Sequence, residues 1–385
     1  MQKIADKAIC SGCHACFNIC PKHAITMNAD KYGFYYPDID SEKCIDCGQC
    51  TKMCPVINVH DGNKGQAYAC INKNEEVRMK SSSGGVFTLI AEYVLKRNGV
   101  IFGVVFDDDL NVCHTEITKE EELGKVRGSK YLQSTIGSTY KDAEEYLKDG
   151  RTVLFTGTPC QISGLKAFLG KDYPNLIMQD IICHGVPSPQ VWQIYLKYKE
   201  NKHNSELSRK RIPEFRNKKY GWNIWSIKLF FKNGTYIGKR SEDAYARAFL
   251  SDICLRPSCY DCKSKSLQRE SDITLADFWG IENIMPEMYD NKGTSLIFVN
   301  SEKGRKIFEE ISEGMVYREF NIDEAVKYNP SAYKSCEKPK NRDKFMKRVN
   351  DHNFEEMVRK YSKISSAKRI QNKIKRIVKG VIKYV

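Results

Sequence analysis

Two phrases, CSGCHACFNICP at residues 10–21 and CIDCGQCTKMCP at residues 44–55, write one cysteine pattern twice. In C-x2-C-x2-C-x3-C-P, three closely spaced thiolates reach three irons of one cubane, while the fourth reaches across to a second cluster. The spacing therefore predicts one 4Fe-4S cluster on Cys10, Cys13, Cys16 and Cys54, and another on Cys44, Cys47, Cys50 and Cys20. All-cysteine zinc sites also use C-x2-C pairs, but a four-ligand ion gives no reason for the triplet. Gly12, Ala15 and Gly48, lying between ligands, leave room for backbone amides to approach the sulfurs. A chain that opens on an electron carrier must use the electrons further along its length.

At 385 residues the chain exceeds one ordinary core, so two or three domains are expected. MQKIADKAICSG lacks the apolar stretch of a signal peptide, and no run of about 18 apolar residues occurs, so a cytoplasmic location is expected. Sixteen cysteines in a reducing compartment favour metal ligation over disulfides. Lys and Arg outnumber Asp and Glu by 62 to 48, yet residues 359–385 hold ten of the basic residues and no acid, leaving a surplus of four elsewhere. The basic character belongs to the tail, which argues against a nucleic-acid-binding face over the body.

The polar, Gly-bearing HDGNKG closes the cysteine-rich head at about residue 60. From residue 66, β-rich runs (AYACI, VIFGVVF, TVLFTG, LIMQDIIC) alternate with helical ones (FTLIAEYVLKRNG, ISGLKAFLG, VWQIYLKYKEN), which predicts an α/β layer with largely parallel strands. In WSIKLFFKNGTYIGK, Asn233-Gly234 between two alternating runs signals a hairpin. SLIFVN and EKGRKIFEEI add a further strand and helix. The expected divisions are an α+β ferredoxin head over 1–60, an α/β body with a mixed sheet over 66–205 and 206–335, and a tail over 336–385. In the tail, Ile370, Ile374, Ile377, Val378, Val381, Ile382 and Val385 recur at helical spacing opposite Lys and Arg. Two readings stand side by side: residues 366–385 as a helix lying on an anionic membrane, at the inner face of the plasma membrane, or as a helix docked on protein.

A third cysteine group, CLRPSCYDCK, holds Cys254, Cys259 and Cys262 and wants a fourth ligand. Cys160 and Cys183, each just after a β-rich run, are the candidates, because strand ends are where an α/β sheet presents functional groups. On spacing alone the group suits a third cubane or a structural zinc. KSSSGGVFTLI sets serines and glycines before a helix, where capping and phosphate binding use the same residues. GSKYLQS and GTPCQISGL add glycines, hydroxyls and Lys130. No G-x-G-x-x-G follows a strand and no P-loop Lys is present.

These phrases, with DIICHGVPSPQVW and SDITLADFWG, resemble in type and order the family of coenzyme F-420 hydrogenase/dehydrogenase beta subunits, which includes 7-hydroxymethyl chlorophyll a reductase. The resemblance covers residues 1–335 and implies an FAD-binding α/β body fed by iron-sulfur clusters. It implies Ser82, Ser83, Gly84 and Gly85 at the FAD phosphates with Ser129, Lys130 and Gln133 nearby, and Thr158, Pro159, Cys160 and Gln161 close to the flavin. It implies Cys183, with Cys254, Cys259 and Cys262, as ligands of a third 4Fe-4S cluster, and His184 as the candidate for contact with flavin or substrate. His14 and His23 are expected to be solvated.

Cubanes pass single electrons and a hydride carries two; a flavin exchanges both ways. The resulting expectation is an iron-sulfur flavoprotein oxidoreductase, exchanging electrons with a redox partner protein or ferredoxin and with deazaflavin coenzyme F-420 or another organic substrate. The family's occurrence among surface-polysaccharide genes suggests one such setting. The competing expectation is a non-catalytic subunit relaying electrons to a partner enzyme. A zinc-containing nucleic-acid-binding protein is the third class, and it predicts a colourless preparation.

Overall fold

The β-rich runs beyond residue 66 assemble into one eight-stranded sheet in the computed structural model, which describes residues 4–362. Its order is Met315–Phe320, Gln66–Asn72, Ser295–Val299, Ile273–Asp277, Leu176–Ile181, Val153–Thr156, Val100–Phe106, Val112–Ile117. The four consecutive strands from Ile273–Asp277 to Val100–Phe106 are mutually parallel; the outer pairings are antiparallel. The sheet is thus mixed, and the stretches on either side of residue 206 share it rather than forming two units.

Each central strand is apolar on both faces, as a sheet covered twice requires. Ile101, Leu154, Ile177, Ile273 and Ile297 meet the helices Val86–Leu95 and Glu302–Ile311. Their neighbours Val100, Phe102, Val153, Phe155, Leu176 and Met178 meet Thr139–Lys148 and Pro159–Leu169. A three-stranded antiparallel sheet, Glu214–Asn217, Ser226–Phe231 and Gly234–Lys239, packs with Pro189–His203 around Trp192 and Trp225. Its hairpin turns through Lys232 and Asn233, with Gly234 opening the return strand.

The head consists of the hairpin Ile25–Ala29/Tyr35–Ile39 and two short helices, Ala15–Ile19 and Gln49–Lys52. It is seated on the body: Cys13 and Ala15 join the same buried cluster as Tyr140, Phe155 and Ile162. The approach is close enough that a Cβ on Gly164, in the helix Pro159–Leu169, would lie 3.1 Å from Cys13 Sγ. The helix expected over residues 366–385 lies outside the described residues.

Candidate metal centres

Thiols of the two duplicated phrases lie in two groups, each drawing one cysteine from the other phrase. Cys20, Cys44, Cys47 and Cys50 line one cavity at the periphery of the head, where Cys47 is exposed and Ala24 N–H donates to Cys20 Sγ at 3.3 Å. Cys10, Cys13, Cys16 and Cys54 form the inner group, electrostatically coupled to one another and largely buried against the body. Burial pushes the Cys13 thiol up to about 11. Burial keeps such thiols neutral unless a cationic centre binds them as thiolates, and none of the sixteen cysteines is in a disulfide. A donor set of four free thiols fits an all-cysteine cluster.

A third group follows from the sheet itself. Val153–Thr156 and Leu176–Ile181 are adjacent parallel strands, so the segments leaving their carboxyl ends are neighbours. One carries Cys160, the other Cys183, and both line a cavity with Cys259 and Cys262. Burial raises all four thiols. Val186 N–H donates to Cys259 Sγ at 3.4 Å, and Lys265 Nζ donates to the Cys183 carbonyl at 2.5 Å. Ile9, Ser11 and Val56 of the head line the same cavity, so the third group abuts the inner one.

Here the structure departs from the expected set. Cys254 is fully buried in the hydrophobic cluster of Trp192 and Tyr245, outside this cavity. The 3-10 turn Pro257–Asp261 brings Cys259 and Cys262 to the cavity while Cys254, before it, ends in the core. Cys160, the other fourth-ligand candidate and expected close to a flavin, lines the cavity with Cys183, Cys259 and Cys262.

The residues expected around FAD separate into two sets. Ser82 Oγ accepts from Ser129 N–H at 2.8 Å, and the neighbouring Lys130 is half-buried with Gly128 O, at 3.4 Å, as its acceptor. Protein around its ammonium lowers the Lys130 pKa to about 7. Ser83 Oγ instead donates to Thr294 O. Gly84 lies flat against the sheet, where a Cβ would stand 2.4 Å from Cys70 O, and Gly85 (φ 88°) supplies the left-handed start of Val86–Leu95. These glycines serve packing and helix initiation. Gln133 lies elsewhere, buried between Ser11 O and Arg256. Thr158, Pro159 and Gln161 form a capping box with Pro in the first turn. Gln161 also donates to Ser134 Oγ. His184 lines the third cavity, but Asp252 (2.6 Å) and Ser331 (3.4 Å) face both ring nitrogens.

Sequence reasoning missed three features. His14 is buried, not solvated, because the head is seated on the body; burial first, then the charge of Arg256, lower its pKa to about 3. His23 is exposed. Asp277, in ADFWG, accepts two bonds from buried Arg216 and one from Trp222 Nε1. Buried Lys218 donates to the carbonyls of Arg78, Ser83 and Lys292, pinning the serine-glycine loop. No local sequence signal marks such partners, which come from distant strands.

Thiol groups in this duplicated arrangement define an iron-sulfur electron-transfer protein. Residues 9–58 match the 4Fe-4S dicluster domain, 67–140 the N-terminal part of the coenzyme F420 hydrogenase/dehydrogenase beta subunit, and 150–325 its C-terminal part. The chain belongs to the coenzyme F420 hydrogenase/dehydrogenase beta-subunit family, as an iron-sulfur redox member. Among relatives, a subunit of the F(420)H(2) dehydrogenase of Methanosarcina mazei is 21% identical over 82% of this chain and 86% of its own length. Coenzyme F420-dependent sulfite reductase of Methanocaldococcus jannaschii is 28% identical over 43% of this chain; the match covers only 26% of that protein. A chain of the F420-reducing [NiFe] hydrogenase complex from Methanosarcina barkeri superposes with a TM-score of 0.45 at 18% identity, over 68% of this chain and 84% of that one. No described helix is long and apolar enough to cross a membrane.

Proposed function

We propose that the chain is an iron-sulfur flavoprotein oxidoreductase subunit that carries single electrons along three cubanes to FAD and a two-electron acceptor. The observation that carries the reading is the line of thiol groups: an exposed outer group, a buried inner group, and a third group whose cavity is walled partly by the head. The third cubane would be held by Cys160, Cys183, Cys259 and Cys262, and Lys265 fixes the Cys183 segment for it. Ser82, Ser129 and Lys130 would hold the FAD phosphates; this corner offers hydroxyls and a cation that lacks a carboxylate partner among the described residues. When bound, FAD supplies the conversion between one-electron and two-electron transfer. The acceptor is coenzyme F420 or another small organic molecule, and the donor is a redox partner protein meeting the outer group.

A relay subunit without its own substrate is the second reading. It is favoured by His184, whose ring nitrogens both face protein partners, Asp252 and Ser331. Anaerobic purification with iron, sulfide, zinc and flavin measured on one sample tests the cofactors: about twelve irons and one FAD per chain are expected. About eight irons, or no flavin, would refute the corresponding part. Turnover of reduced F420 or a dye by the isolated chain then separates reductase from relay; an inactive, fully loaded chain favours the relay.

A further inference from the structure

The two halves of the head repeat one ligand spacing, so the ligand set alone does not distinguish their clusters. The body distinguishes them by burying the inner group and by bringing a charged residue to it. Arg256, fully buried, reaches from the body into the inner thiol group: Nε donates to Cys10 O at 2.7 Å, and one terminal nitrogen to Tyr35 O at 2.9 Å and towards Cys10 Sγ at 3.7 Å. The other terminal nitrogen donates to Gln133 Oε1 at 2.8 Å. Its guanidinium also stands 4.3 Å from the Tyr36 ring centre.

None of these acceptors is a carboxylate. The other buried arginines among the described residues, Arg78, Arg216, Arg269 and Arg342, each face one: Asp290, Asp277, Asp180 and Asp343. A buried cation without an anion is strongly unfavourable, as is the charge left by breaking a buried ion pair. Four cysteine thiolates on a cubane carry net negative charge, which grows by one on reduction. A cubane at the inner site would supply the missing counter-charge at the Cys10 end of Arg256, which also lines the cavity of the third group; the direct donation towards a ligand sulfur is to the inner group.

Resting on the cluster reading above, we propose that Arg256 is the residue that sets the electron affinity of the inner cluster, raising its potential above that of the outer one. The cavity of the outer group contains no buried cation; its only basic residue is exposed Lys22. Electrons entering at the exposed outer group are thereby drawn inward. Arg256 acts by position and charge, not by touching substrate.

The test uses the full chain, purified anaerobically, in wild-type form and as Arg256→Gln, Arg256→Lys and Gln133→Glu. Iron is counted, and the midpoint of each cluster is followed by EPR and visible absorption during reductive titration; Cys47→Ser identifies the outer signal. Gln133→Glu keeps the guanidinium and nearly the same shape while setting a carboxylate beside it, so it carries the test should Arg256→Gln fail to fold. The inner midpoint should fall in Arg256→Gln and Gln133→Glu, fall less in Arg256→Lys, and move more than any other, with the outer midpoint fixed. Iron-replete variants with unmoved inner midpoints, or with inner and outer midpoints moving equally, would overturn the assignment. A wild-type protein without iron would overturn the cluster reading itself, and the proposal with it.

Discussion

Alanine at position 160 and alanine at position 254 should have opposite consequences, although one short cysteine phrase makes Cys254 look like the ligand. Cys160 shares its cavity with Cys183, Cys259 and Cys262, whereas Cys254 has no exposure and packs among Trp192 and Tyr245. One cubane needs four thiolates, so Cys160→Ala should lose about four of about twelve irons. Cys254→Ala removes only one buried sulfur from a packed core; it should keep all the iron and lose about 1–2 kcal/mol of stability. Iron and sulfide per chain, with a denaturation midpoint on the same samples, check both. Iron loss in Cys254→Ala with full iron in Cys160→Ala would refute the geometry of the third group.

Other outcomes follow from buried polar groups. His114 Nε2–H donates to Thr156 O at 2.9 Å, its Nδ1 accepts from Ser134 Oγ, and burial lowers its pKa from 6.5 to about 4. The unfolded chain takes up this proton first, so its contribution to stability falls as pH drops from 6.5 to about 4; between pH 7 and 5 wild type should lose about 2 kcal/mol more than His114→Gln, measured by denaturation. Asp277→Asn strands buried Arg216 and should cost about 3–5 kcal/mol in the same assay. Lys218→Met leaves three backbone carbonyls without their donor and should cost about 2–4 kcal/mol, with faster proteolysis in the Ser81–Gly85 segment as a second readout.

Local pattern carried much of this protein. Cysteine spacing put Cys54 with Cys10, Cys13 and Cys16, and the fold sets these four thiols near one another. Strands such as Val100–Phe106, Val153–Thr156 and Leu176–Ile181 fell where apolar runs placed them, since a sheet covered on both faces needs continuous apolar strands, whereas Val112–Ile117, Glu214–Asn217 and Ile273–Asp277 were not read from the sequence. The features that stayed hidden depend on which segments meet. Cys160 becomes a neighbour of Cys183 only through strand order. Gly84 and Gly85 read equally as a phosphate cradle or a packing contact until Cys70 and Ser295 come up against them. His14 looks like a surface residue of a free head, and only the body's presence buries it.

The same sheet order bears on synthesis. Among the described residues, strand Gln66–Asn72 pairs as a ladder with Ser295–Val299 and Met315–Phe320, both from the second half of the chain. Arg256 follows Cys10, whose carbonyl it meets, by 246 residues. At roughly 5–20 residues per second, the head leaves the ribosome on the order of ten seconds or more before its partner surface exists. A cluster inserted in that interval is open to oxygen on the side the body later covers; one inserted afterwards must enter through the outer face, where Cys47 is exposed.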